Sequence, residues 1–518
     1  MKFVSDPPIA QKIDSMKRRV RWSSKRIPQQ IQRTKLVIED DRSSDGNFSF
    51  LVIGDSGCGS HLGHHPQGTI SEMMSQHQED SRFILHTGDV VYQVGSSEYY
   101  HKNFINPYRQ YIAGGDYPQE VDYDGITFKL PFFLVPGNHD YYNLPFIYAF
   151  LAQATWLPRR LLRKQIDLDV GWHGSNCGDA YARAFLDYLA EINPNRLQQH
   201  LEKHYSAEQD GDRCMFYQPG SFTRLPNRYY TFRYGGIDFF ALDSNTFNEP
   251  LAIPDTPEGA AKRQKLLARR DKLQQREQEI EAKIDRLNPD NPEENEQLDD
   301  CHAQLEQIEE SQRDIEKQLN QQQQITDWEQ LDWLRDCLIA SWQNPEVRGR
   351  IIFFHHPPYV TEATKWHQGQ TLAVRDRLRR VFDEVVAKVE IPEDRPVVDL
   401  ALSGHAHCLE YLQTKDTGYG DSNMHWIVCG GSGHSLRRQR KQDKTLYQDA
   451  DLNEGKPIGE SRLYVGRNGK GSDKKRPYSF LRIDVREGNR PQFTVNPFVA
   501  ERQHHHWNKY AIDPFEIS

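Results

Sequence analysis

The feature that most constrains this 518-residue chain is a series of short apolar runs that stop at a glycine or at a polar residue of metal-binding type. Runs of strand length and β-branched or aromatic content occupy 48–53, 83–86, 131–135, 229–233, 237–242, 350–354, 397–402 and 425–429. Several, such as Leu51-Val52-Ile53 and Ile351-Ile352-Phe353-Phe354, are apolar throughout, as strands covered on both faces must be. The spacing predicts an α/β fold with buried sheets. In such folds sites form beyond the carboxyl ends of strands.

The residues just past these runs are the informative ones. Asp55 follows Gly54, and Gly57 and Gly59 allow a tight backbone turn there. Then come Gly88-Asp89-Val90-Val91-Tyr92, Gly137-Asn138-His139-Asp140, His355-His356-Pro357-Pro358 and Gly404-His405-Ala406-His407. A carboxylate can bridge two cations, Asn138 offers a neutral oxygen, and imidazoles suit iron, zinc and similar ions. Two adjacent ions provide a recognised route to phosphate-ester hydrolysis. Each segment is a weak signal alone; in this order, each after a strand-like run, they point to a dinuclear site.

Hydrophobic residues make up only 37% of the chain, so a long polar segment must dilute it. That segment is 256–325, rich in Leu, Glu, Gln, Lys and Arg. Leu266, Leu273, Ile280 and Leu287 recur every seventh residue, and after a proline-rich turn Leu298, Cys301, Leu305, Ile308, Ile315 and Leu319 resume the seam. The pattern predicts an antiparallel coiled-coil hairpin inserted in the catalytic domain. Its arms would project about 40 Å at the helical rise per residue, or else lie flat on that domain. It could serve a protein partner or self-association. The other expected divisions are a basic, solvated N-terminal arm (1–45), a catalytic domain (46–255 and 326–500) with an insertion or cap at 142–225, and a C-terminal tail (501–518). The net charge of −9 argues against nucleic-acid binding. No run reaches the roughly 18 apolar residues of a membrane span. With no visible signal peptide and seven scattered cysteines, a cytoplasmic, reduced protein is expected.

The four segments, with Asp55, resemble the motif series of the calcineurin-like metallophosphoesterase superfamily over residues 50–407. The resemblance implies a four-layer β-sandwich flanked by helices. It implies one ion held by Asp55, Asp89 and His407 and a second by Asp89, Asn138, His355 and His405, with Asp89 bridging. Most members carry a histidine where this chain has Gly57. Tyr92 stands three residues after Asp89, as in the purple acid phosphatase branch, whose tyrosine binds ferric iron. A phenol of pKa near 10 needs a strongly Lewis-acidic cation to bind as phenolate near neutrality. The implied cofactors are Fe(III) with a divalent Fe, Zn or Mn, or alternatively two divalent ions with Tyr92 only packing against the sheet. By the same resemblance His139 faces the substrate as a general acid with Asp140 orienting its ring, and His367 is a further substrate-facing histidine.

The expected activity is hydrolysis of a small phosphomonoester by a metal-activated hydroxide. The alternatives are a phosphodiesterase or nucleotidase with two divalent ions, and a complex subunit that uses the hairpin for partner binding.

Overall fold

The computed structural model describes residues 4–22, 27, 30–59, 64–145, 174–288, 291–321, 325–441, 444–448, 455–469, 473–503 and 506–518, without the side chains at 292, 293, 295, 296 and 299. Part of the expected 142–225 insertion and of the hairpin's turn lie outside these residues.

The architecture is mixed α/β, built on two large sheets. The first has eleven strands in the spatial order Thr445–Tyr447, Pro457–Val465, Leu409–Thr414, His425–Cys429, Leu400–Ser403, Gly349–Phe353, Ile237–Ala241, Tyr230–Tyr234, Ile31–Ile38, Asp212–Tyr217 and Ala207–Gln209. Four central strands of this sheet, from His425–Cys429 to Ile237–Ala241, are mutually parallel. The second sheet runs His506–Ala511, Gln492–Gln503, Arg476–Arg486, Phe48–Ile53, Ser81–His86 and Phe132–Leu134, with Phe515–Ile517 pairing Gln492–Gln503. Its last three strands are also parallel. Parallel strands buried on both faces read as continuous apolar runs, which is why they were legible in the sequence.

Aromatic rings fill the space between the sheets. Phe50 and Phe83 meet Phe239 edge-on at 5.6 and 5.3 Å, and Phe133 stacks on Phe232 at 4.2 Å. Alternate residues of one strand face opposite ways. Ile351 and Phe353 thus join this inner core, while Ile352 and Phe354 pack on the other face against Leu334 and Leu338 of helix Trp328–Gln343 and Leu378 and Phe382 of helix Gly369–Val386.

Both chain ends depart from expectation. The described part of residues 1–45 does not form a solvated arm. Helix Ile9–Val20 buries Met16 and Val20 in the main core, and Ile31–Ile38 is an interior strand of the large sheet. Lys17 and Arg18 of that helix are exposed while Lys12 is buried against Asp6, and an amphipathic charge pattern alone does not reveal what covers the apolar side. Likewise 501–518 is no tail, because it ends one strand and supplies two more. The strand before it, Arg476–Arg486, pairs antiparallel with Gln492–Gln503. Near the insertion, a helix spans Asp179–Phe185.

Segment 256–325 forms two helices, Pro257–Ile284 and Pro292–Asn320. The first opens on Thr256, whose hydroxyl caps the Gly259 N–H at 3.2 Å, with Pro257 at the first helical position. The helices run antiparallel, with Leu266 against Ile315 and Ile280 against Cys301 and Ile308. The pair does not project clear of the sheets. Arg437 of the core reaches the carbonyl of Ala303 in the second arm at 3.1 Å, and Asp314 of that arm accepts the Gly369 N–H at 3.0 Å. No helix among the described residues is long and apolar enough to cross a membrane.

Candidate metal centre

The parallel strands of both sheets end at one place. Asp55, Asp89 and Asn138 follow three strands of the smaller sheet; His355, His405 and His407 follow two of the larger. The chain turns sharply there. Asp55, Asp89, His405 and His407 all have positive φ, at 52°, 54°, 66° and 33°, a region uncommon for residues other than glycine and concentrated at functional sites. Gly88, at φ 100°, turns the chain so that the Asp89 carboxylate points inward. At Gly57, where a histidine ligand is common in the family resembled, a Cβ would lie 1.8 Å from the Val90 carbonyl oxygen. The backbone occupies that space, and the Gly57 carbonyl instead accepts the Tyr92 N–H at 2.8 Å.

The donor atoms fall into two adjoining groups. In the first, the Tyr92 hydroxyl lies 2.8 Å from Asp89 Oδ2, 3.1 Å from Asp55 Oδ1 and 3.2 Å from His407 Nε2. In the second, His355 Nε2 lies 3.0 Å from Asn138 Oδ1 and 3.2 Å from His405 Nδ1. Asp89 stands between them, its Oδ2 also 3.4 Å from His355 Nε2. Backbone carbonyls set the imidazoles: Thr87 holds His355 Nδ1 at 2.9 Å and Ser435 holds His407 Nδ1 at 3.0 Å, which leaves each Nε2 facing the group. Asp55-Asp89-His407 and His355-His356-His405 are two buried clusters able to hold metal ions. In the second, however, both ring nitrogens of His356 are engaged, Nδ1 by Ser244 Oγ at 2.8 Å and Nε2 by Asn248 Nδ2 at 3.1 Å.

The electrostatics fit a cation pair. Burial and the charge on Asp89 push Asp55 up to about 8. Burial works against the ionised Asp89 too, but His355 and His139 beside it hold its carboxyl low. Burial with the two carboxylates keeps the Tyr92 phenol well above its ordinary value. Two buried carboxylates and a phenol that resist ionising together are the surroundings a multivalent cation reverses.

The expected substrate-facing residues are placed differently. His139 does border the chamber, but its Nδ1 is held by the Gln93 carbonyl, not by Asp140. Asp140 instead accepts the backbone N–H groups of Gly137 at 2.8 Å and Val90 at 3.1 Å, tying the Asn138 and Asp89 loops together. A carboxylate next to a histidine in sequence need not reach its ring when nearby turn N–H groups lack partners. His367 sits against Trp366 and lines a separate groove with Arg269 and Arg440, so it does not border the metal chamber.

Sequence reasoning missed several neighbours. Lys365 Nζ and Gln370 Nε2 lie 2.9 and 2.8 Å from His405 Nε2. His434 stacks on Tyr92 at 4.1 Å. Glu306 and Glu310 of the hairpin, with Arg437, close the chamber from above. Glu306 and Glu310 left a trace in the sequence, as charges four apart on a helix, and such a stripe reads as solvated.

No family model and no curated protein matches the chain. Among solved structures, GAP50, the anchor in the inner membrane complex of Plasmodium, aligns over 91% of this chain and 88% of its own at 11% identity and a TM-score of 0.37. PhoD aligns over 89% and 71% at 12% identity and a TM-score of 0.36. Neither bears on what this chain does.

Proposed function

We propose that this chain is a dinuclear-metal phosphoesterase acting on small phosphomonoesters. The observation that supports it is the position of Asp89, between a Tyr92-Asp55-His407 group and an Asn138-His355-His405 group, with donor atoms of neighbouring residues 2.8–3.4 Å apart. The ions held there would supply Lewis acidity and an activated water near neutral pH.

The protein's own contribution is position and charge. Asp140 fixes two ligand loops by their backbones. His139 also donates its backbone N–H to Asp89 Oδ1 at 2.9 Å, and the Gln93 carbonyl fixes its ring, leaving Nε2 as the nitrogen for a proton to the leaving oxygen. Burial lowers His139, which disfavours the imidazolium; the neighbouring Asp89 charge opposes this, and a bound phosphate dianion adds to that opposition.

The test is metal analysis of protein purified without chelators, with turnover of p-nitrophenyl phosphate and of its bis ester. Two ions per chain and monoester turnover are expected, both lost in Asp89→Asn. Full turnover in that variant sinks the proposal, and preference for the bis ester makes the enzyme a diesterase. The contacts of Tyr92 favour ferric iron in the first position. A visible absorption band is therefore expected that Tyr92→Phe removes. A colourless iron-loaded protein restricts the site to two divalent ions.

A further inference from the structure

The second hairpin arm, Pro292–Asn320, brings charged side chains to the mouth of the metal centre at helical spacing. Glu306 and Glu310 are one turn apart on one face. Arg437 Nη2 lies 3.1 Å from Glu306, and Glu310 pairs with Lys365, whose Nζ is 2.9 Å from His405. Both cations are almost fully buried, with side chains only 1% and 2% exposed. The chamber beneath is about 80 Å3, well under the roughly 300–1,000 Å3 of ordinary small-ligand pockets. A latch holds the arm: Lys317 meets Asp6 at 2.5 Å, and Asp314 accepts the Gly369 N–H.

We propose that this arm is a gate carrying its own phosphate mimic. Lys365 and Arg437 clasp the phosphoryl group of the substrate, and Glu310 and Glu306 occupy them until the arm moves aside. The proposal rests on the phosphoesterase reading. Buried cations need an anionic partner, and a guanidinium or ammonium that pairs with a carboxylate pairs equally with phosphate. The arm's contacts with the site are polar, while its apolar residues Ile315, Cys301 and Ile308 pack on the first arm. The hairpin therefore stays folded when it swings away.

The experiment uses the full metal-loaded chain and inorganic phosphate. Titration calorimetry of Glu306→Gln/Glu310→Gln should show phosphate bound about 10-fold more tightly than by wild type, the effect of removing competing charge-assisted bonds. Asp6→Asn, which loosens the Lys317 latch at the chamber wall, should shift affinity in the same direction. Arg437→Met in the opened background should weaken phosphate binding and leave metal content unchanged. Phosphate should raise hydrogen exchange over 303–317 in wild type. Equal affinity in wild type and opened variants, with exchange over 303–317 unmoved, overturns the gate and leaves the phosphoesterase reading standing. Failure of every metal-loaded form to bind phosphate overturns that reading and the gate with it.

Discussion

At position 57 a β-carbon would strike the Val90 carbonyl oxygen, so the histidine absent from the sequence could not be restored by substitution. The proposed ligand set would close another way, and the Tyr92 hydroxyl lies within 3.2 Å of Asp55, Asp89 and His407. That local departure was legible in the sequence; its steric cause was not, because it involves two loops that meet only in the fold. A second consequence belongs to Asp55. In the metal-free protein its carboxyl titrates near 8 in place of the ordinary 3.8. Between those values the folded state keeps a proton that the unfolded state releases. Stability must therefore fall as pH rises through this window. After chelation, the thermal midpoint should drop between about pH 5 and pH 8, and Asp55→Asn should flatten the drop. An unchanged slope in that variant would show that Asp55 is ionised without metal.

Among elements, the tie between helix Trp328–Gln343 and the sheet ends carries the most consequence. Buried Arg228 donates to Asp243 at 3.1 Å and to Thr246 at 3.0 Å, and pairs with Asp327 at the start of that helix. Tyr141, next to Asp140, donates to Asp243 at 2.7 Å, so the network reaches the Asn138 loop. Arg228→Met leaves two buried carboxylates unpaired, at a cost of about 3–5 kcal/mol. A lower denaturant midpoint and weaker metal retention are expected. Equal midpoints would mean that the network adds no net stability. Tyr141, Arg228 and Asp327 are far from one another in the chain, and an Arg two residues after Pro226 carries no sign of its carboxylates. The hairpin shows the same limit. Its heptads lie on two helices, but their spacing does not say that the second lines the chamber.

For the whole molecule, the N-terminal segment is part of the core. Met16 and Val20 are buried, Ile31–Ile38 lies between two other strands, and Asp6 reaches both Lys12 and the hairpin's Lys317. Removing residues 1–20 should lower soluble yield and the thermal midpoint, as loss of several buried side chains at about 1.5–3 kcal/mol each requires. A truncated protein that melts with the full chain would show that the helix docks without contributing to stability.

Local pattern determined the strands and the turns that end them, because apolar runs of strand length can be buried in few ways and Asp, Asn and His at glycine-led turns have few reasons to recur. It therefore presented Asp55, Asp89, Tyr92, Asn138, His355, His405 and His407 as candidate donors, and the fold brings all of them together. Tertiary structure alone decided what surrounds them: Asp140 on backbone N–H groups, His367 in another groove, Lys365 and Arg437 at the chamber, and Glu306 and Glu310 above it. These are contacts between segments far apart in the chain. A charged stripe on a helix has the same spacing whether it faces water or a buried cation.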